Sequence, residues 1–168
     1  MSGNFQAIGK VPLGISDHSA TNDTEVTAMP IEDLARTDVV SAGPETPVPE
    51  LAQQMRDENV GSVVVTSDNS PTGIVTDRDL TTRVLTEETA PTDQTADDVM
   101  SADLCAVGPG AGFYEAAQVM SENGVRRLPV CDENDELVGI ITADDLTELL
   151  ADENQQLASV VRAQRPRY

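Results

Sequence analysis

Apolar residues recur along this chain in two alternating patterns, one typical of helices and one typical of strands. Helical spacing of i, i+3, i+4 and i+7 appears twice, at Val48, Leu51, Ala52 and Met55 and again at Phe113, Ala116, Ala117 and Met120. Each of these segments is followed by a run rich in β-branched residues, 60–66 and 125–131, which predicts a strand. Short strands are also predicted before each helix, at 38–42 and 103–107.

The same order of elements is written twice because the chain repeats itself. Residues 73–80 read GIVTDRDL and residues 139–146 read GIITADDL. Earlier matches, such as Pro44 with Pro109, fall at an offset of 65 residues, and those in the eight-residue phrase fall at 66. A fixed offset with one slip indicates a duplicated structural unit. Each unit is predicted to run strand, helix, strand, strand, helix, with the third strand ending at Thr76 or Thr142.

Residues at the predicted helix ends fit the places where helices begin and stop. Thr46 followed by Pro47 is suited to an N-cap and first-turn pair. The first helix of each unit is predicted to end at Asn59 or Gly124, the two residue types that best tolerate the left-handed conformation of a helix C-terminus.

These elements divide the chain into four parts. We expect a disordered leader over 1–28, a first unit over 29–90, a second unit over 91–152, and a C-terminal helix extension with a basic tail over 153–168. One unit of about 60 residues buries its apolar face poorly alone, so the two units should cover each other. The extension continues an apolar stripe and is expected to pack on its own domain or on a dimer mate; docking to an acidic partner is the alternative.

Charge narrows the classes of partner. The chain carries 30 acidic and 10 basic residues, a net charge of −20, with a single lysine. Phosphate backbones require clustered positive charge, which makes nucleic acid an unsuitable partner. The acid excess resembles that of proteins from salt-loving microbes, since molar salt shortens the Debye length to about 3 Å and screens self-repulsion. With no run of apolar residues long enough to span a membrane and no secretory signal, we expect a cytoplasmic protein.

Candidate chemistry for an enzyme is scarce. The only histidine is His18, in the leader, so the folded part has no Ser–His or Cys–His pair, and there is no P-loop lysine. Cys105 and Cys131 lie in apolar runs and are expected to be buried free thiols. The acidic stretch 132–136 lacks the glycine of a calcium loop and is interpreted as a solvated turn. We therefore predict no catalytic residues, no metal site and no required cofactor.

The repeated phrase contains a threonine and an aspartate three positions apart, at Thr76 and Asp79 and at Thr142 and Asp145. This spacing resembles a capping box, in which the two side chains satisfy the first backbone groups of a helix. The same strand-to-helix corner also exposes backbone N–H groups and the positive end of the helix dipole, which favour an anion. A hydroxyl and a carboxylate here could bind the phosphate and ribose of a nucleotide.

The duplicated order of elements, the phrase VRRLPV in the second unit and the repeated G-hydrophobic-hydrophobic-T-x-x-D resemble a tandem pair of cystathionine-β-synthase-type (CBS) domains over about residues 29–150. The resemblance implies an α+β fold of two β-α-β-β-α units with pseudo-twofold symmetry, the Bateman-type module. It also implies a regulatory homodimer that binds an adenosine compound, AMP or ATP before S-adenosylmethionine or NAD, and acts on an unknown effector protein. The threonines and aspartates of the repeated phrase are then the ligand contacts.

The two expected ligand clefts differ in charge. Asp77 and Arg78 lie inside the first phrase, whereas Ala143 and Asp144 lie inside the second. Arg126 and Arg127 occupy the positions held by Gly61 and Ser62 in the first unit. We expect these residues, Ser62 among them, to contribute to ligand binding, with salt bridging as the alternative for the arginine pair. Two other functions stay open: a dimerisation scaffold with vestigial clefts, and a cation or ionic-strength sensor.

Overall fold

The structure is a computed structural model that describes residues 29–165. The leader predicted over 1–28, with His18, and the last three residues of the basic tail lie outside the described residues.

The first unit contains a three-stranded sheet and a helix in the predicted order. Strand β1 (Ser41–Ala42) pairs in parallel with β2 (Ser62–Ser67), which pairs antiparallel with β3 (Ser70–Thr76). Helix α1 (Val48–Asp57) connects β1 to β2, because a parallel pair needs a crossover. Strand β3 ends at Thr76 as predicted, and the chain continues as helix α2 (Asp77–Asp79) and a π-helical turn (Leu80–Val84).

A 3-10 turn (Pro91–Asp93) and a short helix, α3 (Ala96–Val99), connect the two units. Beyond α3, the second unit has the order of the first except that it lacks the first strand. Helix α4 (Phe113–Asn123) leads to β4 (Arg127–Cys131), which pairs antiparallel with β5 (Leu137–Thr142), and α5 (Ala143–Ala163) follows directly. The strand predicted at 103–107 is wrong: only Val107 pairs, in a single parallel bridge to Val130. Apart from that strand, the predicted order of elements is confirmed.

Each hydrophobic core contains residues from the segment that precedes the strands and helices of the other unit. These segments are 29–36 for the first unit and 91–101 for the second. Ile31, in a 3-10 turn (Ile31–Asp33), is fully buried with the second unit's residues, and its N–H donates to Ala111 O at 2.8 Å. Ala96 and Val99 of α3 are buried in the core of the first unit, where Ala96 N–H donates to Thr46 O at 2.8 Å. The two units therefore exchange these segments, and neither core is complete without the segment that precedes the other unit.

This exchange explains the glycine that opens each copy of the repeated phrase. Gly73 faces Met100 so closely that a methyl group at residue 73 would overlap the methionine side chain. At Gly139, a Cβ would lie 3.2 Å from Arg36 O and 3.3 Å from the Ala35 Cβ. Each glycine thus leaves room for the segment that precedes the other unit to pack on the face of the hairpin.

Two of the predicted helix ends are confirmed and one helix start is wrong. Asn59 and Gly124 have φ of 54° and 64°, in the left-handed region. Thr46 is not the N-cap of α1, since Pro47 holds that position and makes no side-chain cap bond. The backbone of Thr46 is used elsewhere: its N–H donates to Gly43 O and its carbonyl accepts from Ala96.

The remaining local predictions are confirmed only in part. Ala52, which shares the helical spacing of the apolar face, is exposed. Both cysteines are free and only partly buried, and burial together with nearby Asp135 and Asp132 raises the pKa of the Cys131 thiol to about 11. The acidic stretch 132–136 is a closed turn in which the Asp132 carboxylate accepts from Asn134 N–H at 2.8 Å and Glu136 N–H at 3.0 Å.

Candidate functional site

The candidate site begins where β3 ends and α2 starts, at the corner formed by Thr76 and Asp79. The Asp79 Oδ2 atom accepts from Thr76 N–H at 2.9 Å and from the Thr76 hydroxyl at 2.6 Å. In return, Asp79 N–H donates to Thr76 Oγ1 at 3.2 Å. This is a complete capping box, and it leaves the second carboxylate oxygen, Oδ1, for other partners.

The corner between β5 and α5 repeats this geometry. Asp145 Oδ2 accepts from Thr142 N–H and its hydroxyl at 2.9 and 2.6 Å, and Asp145 N–H donates to Thr142 Oγ1 at 3.2 Å. The backbone before each corner is also alike: Asp77 N–H donates to Gly61 O at 3.2 Å, and Ala143 N–H donates to Arg126 O at 2.9 Å. The capping interpretation of the repeated phrase therefore holds at both corners.

The outward oxygens of the two aspartates meet arginines that sequence reasoning missed. Asp79 Oδ1 lies 3.4 Å from Arg83 Nε, and Asp145 Oδ1 accepts from Arg36 Nη2 at 2.9 Å and Nε at 3.3 Å. The i, i+4 spacing of Asp79 and Arg83 is a signal that could have predicted the first pair. Nothing in the local sequence points to the second pair, because Arg36 arrives with the exchanged segment.

Arg83 also holds the first corner to the segment between the units. Its Nη1 donates to Val99 O at 2.8 Å and to Met100 O at 2.9 Å, and its Nη2 donates to Ser101 Oγ at 3.0 Å. Arg83 therefore connects the Asp79 carboxylate directly to the segment that precedes the second unit.

Contacts at Asp145 shift its acidity. Burial raises the pKa of this carboxyl, but hydrogen bonds from Thr142 and Arg36 and the charge of Arg36 outweigh burial, so that the pKa lies below its usual value. The Asp145 side chain is 11% exposed, whereas the Arg36 side chain is 61% exposed. The ion pair therefore covers a nearly buried carboxylate with a solvated guanidinium.

The predicted arginine pair of the second unit is divided between the two corners. Arg127 reaches the first corner: a Cβ built on Gly61 would lie 3.1 Å from Arg127 Nη2 and 3.6 Å from Asp77 Oδ2. Arg126 instead pairs with Asp144 at 3.2 Å, in a contact whose two side chains are both exposed. The second unit thus contributes Arg127 to the first corner, whereas its Arg126 is paired with an acid at the second corner.

The other predicted residues lie around the first corner. Ser62 pairs with Thr76 across β2 and β3 and is partly buried. Asp77 is exposed, and its carboxylate accepts from Arg78 N–H at 2.8 Å. The Arg78 side chain is exposed beside this turn.

Neither the surface along α1 nor the acidic side chains add a second candidate site among the described residues. An open depression of about 590 Å³ runs along α1, lined by residues such as Pro47, Glu50, Gln54 and Asp57, and no predicted site residue lines it. Within residues 29–165, no group of three or more histidine, cysteine, aspartate or glutamate side chains is arranged to hold a metal ion.

Comparison with protein families decides what this arrangement is. The CBS domain model matches residues 31–86 and again residues 96–152, together most of the chain. The chain belongs to the CBS domain family. Its two units are a tandem CBS pair of mixed helix and strand, and each matched region contains one Thr–Asp corner.

Relatives and solved structures agree with this membership. The CBS pair is 35% identical to the uncharacterized protein MK0525 of Methanopyrus kandleri, over 71% of this chain and 61% of that protein. It is 33% identical to the CBS domain-containing protein YhcV of Bacillus subtilis, over 69% of this chain and 81% of that protein. In structure it resembles the CBS domain pair of protein MJ0100, solved with 5'-methylthioadenosine and S-adenosyl-L-methionine, with a TM-score of 0.68 and 19% identity over 75% of this chain and 98% of that chain.

The described helices are too short or too polar to cross a membrane. Between residues 29 and 165, none of them combines the length and the apolar character that crossing a bilayer requires.

Proposed function

We propose that this CBS pair is a regulatory module, rather than an enzyme, that binds an adenosine-containing nucleotide at its strand-to-helix corners. AMP or ATP is the preferred ligand, ahead of S-adenosylmethionine or NAD. One observation carries the proposal: both corners hold an aspartate with one oxygen fixed in a cap and the other paired only with a solvent-exposed arginine.

That outward oxygen is suited to a ribose. Arg36 and Arg83 have side chains that are 61% and 45% exposed, and ion pairs of this kind contribute only about 0–1 kcal/mol. Two ribose hydroxyls can replace such a partner at little cost, because the carboxylate keeps its Oδ2 bonds to the cap and still accepts through Oδ1. The cap and the ligand site are therefore compatible uses of one aspartate.

The phosphate belongs at the first corner in this proposal. Arg127 approaches Asp77 there, Arg78 is exposed in the same turn, and guanidinium groups bind phosphate through several donors. The second corner has Asp144 in the corresponding turn, and Arg126 is already paired with it. We therefore propose tighter binding of a phosphate-bearing ligand by Thr76, Asp79 and their neighbours than by Thr142 and Asp145.

Regulation follows from the contacts of Arg83. A ligand that takes Asp79 Oδ1 competes with Arg83, whose other donors hold the segment from Val99 to Ser101. Such a ligand shifts the module only as far as it binds one arrangement better than the other. The proposed output is a shape change passed to a separate effector protein by a cytoplasmic homodimer of this chain.

A dimerisation scaffold is the second candidate, because complete capping boxes at both corners account for Thr and Asp without any ligand. Thermal melting in molar KCl separates the candidates. AMP, ATP, S-adenosylmethionine and NAD are added singly, each at rising concentration, with Mg²⁺ alone as a further arm. A ligand at 100-fold over its dissociation constant adds about 2.7 kcal/mol of stability.

A rise in melting temperature with an adenosine compound supports the proposal. No rise with any of them favours the scaffold, and a rise with Mg²⁺ alone favours a cation sensor.

A further inference from the structure

The last helix extends past the body of the protein with its apolar side chains uncovered. Leu146 of α5 is buried in the core of the second unit, but from Ala151 to Arg165 every residue is exposed except the partly buried Ala158. Four large apolar side chains lie on this helix in solvent, Leu150 at 45%, Leu157 at 64%, Val160 at 52% and Val161 at 61% exposure.

These side chains form one stripe. At 100° per residue, Leu157, Val160 and Val161 fall on the same side of the helix as Leu150 and as the buried Leu146. The stripe therefore starts in the core and continues into solvent. Most helical stability in proteins comes from packing of an apolar face, so the part of α5 from Ala151 to Ala163 needs a partner for its stripe.

Charge along α5 says what kind of partner fits. The half up to Glu153 carries acids and no base: Asp144, Asp145, Glu148, Asp152 and Glu153. Beyond Glu153, the described part carries no acid and two bases, Arg162 and Arg165. A second α5 laid antiparallel would place acidic half against basic half, and it would also oppose the two helix dipoles. A parallel pair would put like charges side by side.

We infer that α5 of one copy pairs antiparallel with α5 of a second copy, crossing near Leu157. This inference names the surface of the homodimer proposed above and is independent of nucleotide binding. With Leu157 at the twofold axis, Glu153 of one helix lies level with Val161 of the other, close to that helix's basic end. The stripe that is exposed in one copy is then covered by the same stripe in the other.

Salt should affect this pairing because both copies carry the same net charge. The chain carries a net charge of −20, so two copies repel each other in dilute buffer. In molar KCl the Debye length falls to about 3 Å, which removes the long-range repulsion and leaves apolar contact to decide. The pairing should therefore strengthen with salt.

Sedimentation velocity of the full chain in molar KCl tests the pairing. We expect a dimer for the natural sequence and an increase of about tenfold or more in the dissociation constant for Leu157→Glu combined with Val161→Glu. The control is Gln155→Glu combined with Ser159→Glu, which adds the same charge to an exposed face away from the stripe and should leave the dimer intact. Because all four positions are exposed in one copy, both variants should fold, and only the stripe variant should lose the stability that pairing adds.

Cysteine cross-linking tests the direction. In a chain with Cys105 and Cys131 replaced by serine, Leu157→Cys should form a disulfide between copies, whereas Leu150→Cys and Gln155→Cys should not. A monomer at all concentrations overturns the inference together with the homodimer. A dimer that survives the double glutamate variant overturns the surface alone, and efficient cross-linking through Leu150→Cys overturns the antiparallel arrangement.

Discussion

Arg36 and Asp145 are 109 positions apart in the chain, yet the arginine Nη2 donates to the aspartate Oδ1 at 2.9 Å. The contact exists because the segment around Ile31 packs into the core of the second unit. In the first unit the equivalent aspartate, Asp79, takes its arginine from its own helical segment, at Arg83. Two corners with the same internal geometry thus depend on different parts of the chain for their counter-charge.

The cap and the ion pair at Asp145 should differ in their effect on stability. We expect Asp145→Ala to lower the free energy of unfolding by about 1–2 kcal/mol because it removes a capping partner. Arg36→Gln should cost about 0–1 kcal/mol, since its guanidinium is solvated. Urea unfolding measures both, with Asp144→Ala as a control at an exposed neighbour. An Arg36→Gln loss as large as that of Asp145→Ala would show that the ion pair, not the cap, holds the corner.

Stability should depend on pH through Asp145. Its pKa is lowered in the folded protein, so its contribution is present above the unfolded value of about 3.9 and is lost as the pH falls through the folded value. The difference in unfolding free energy between the natural chain and Asp145→Asn should therefore shrink as the pH drops from neutral to about 3. Denaturant titrations of both proteins across this range provide the check. A difference that stays constant would contradict the assigned shift.

Gly73 and Met100 should be energetically coupled. Gly73→Ala alone should destabilise the protein, because the new methyl group meets the Met100 side chain. Met100→Ala alone removes apolar contacts, but the double variant should recover part of the Gly73→Ala loss. A double-mutant cycle in urea measures the coupling, expected at about 0.5–3 kcal/mol for residues in contact. Additive losses would mean that the close approach has no energetic consequence.

The sequence predicts those features of the structure that depend on residues close together in the chain. The repeat, the corners at Thr76 and Thr142 and the helix ends at Asn59 and Gly124 are local, and all are confirmed. The strand predicted over 103–107 does not form, because only Val107 pairs, with Val130. That pairing depends on tertiary packing rather than on the local sequence.

The same limit applies to the candidate site. The phrase itself predicts the Thr–Asp contacts, since they span three positions. Tertiary packing places Arg126 and Arg127 at different corners and brings Arg36 to Asp145. No local sequence pattern predicts these contacts.

Salt should stabilise the folded chain. With 30 acidic residues against 10 basic ones, repulsion opposes the compact state in dilute buffer and is screened in concentrated KCl. We expect the melting temperature to rise between low salt and molar KCl, with most of the rise complete once the Debye length is a few ångströms. KCl and NaCl should act alike if screening is the cause. A melting temperature independent of salt would contradict this explanation.

A double role, as ligand contact and as helix cap, is proposed for Asp79 and Asp145. Calorimetric titration of AMP and ATP in molar KCl tests it directly, on the natural chain and on the Asp79→Asn and Asp145→Asn double variant. Asparagine keeps an acceptor oxygen for the cap but loses the charge that ribose hydroxyls would meet. We predict binding heat for the natural chain and a loss of at least tenfold in affinity for the folded double variant. Equal affinity in both proteins, or no heat with the natural chain, would contradict this double role.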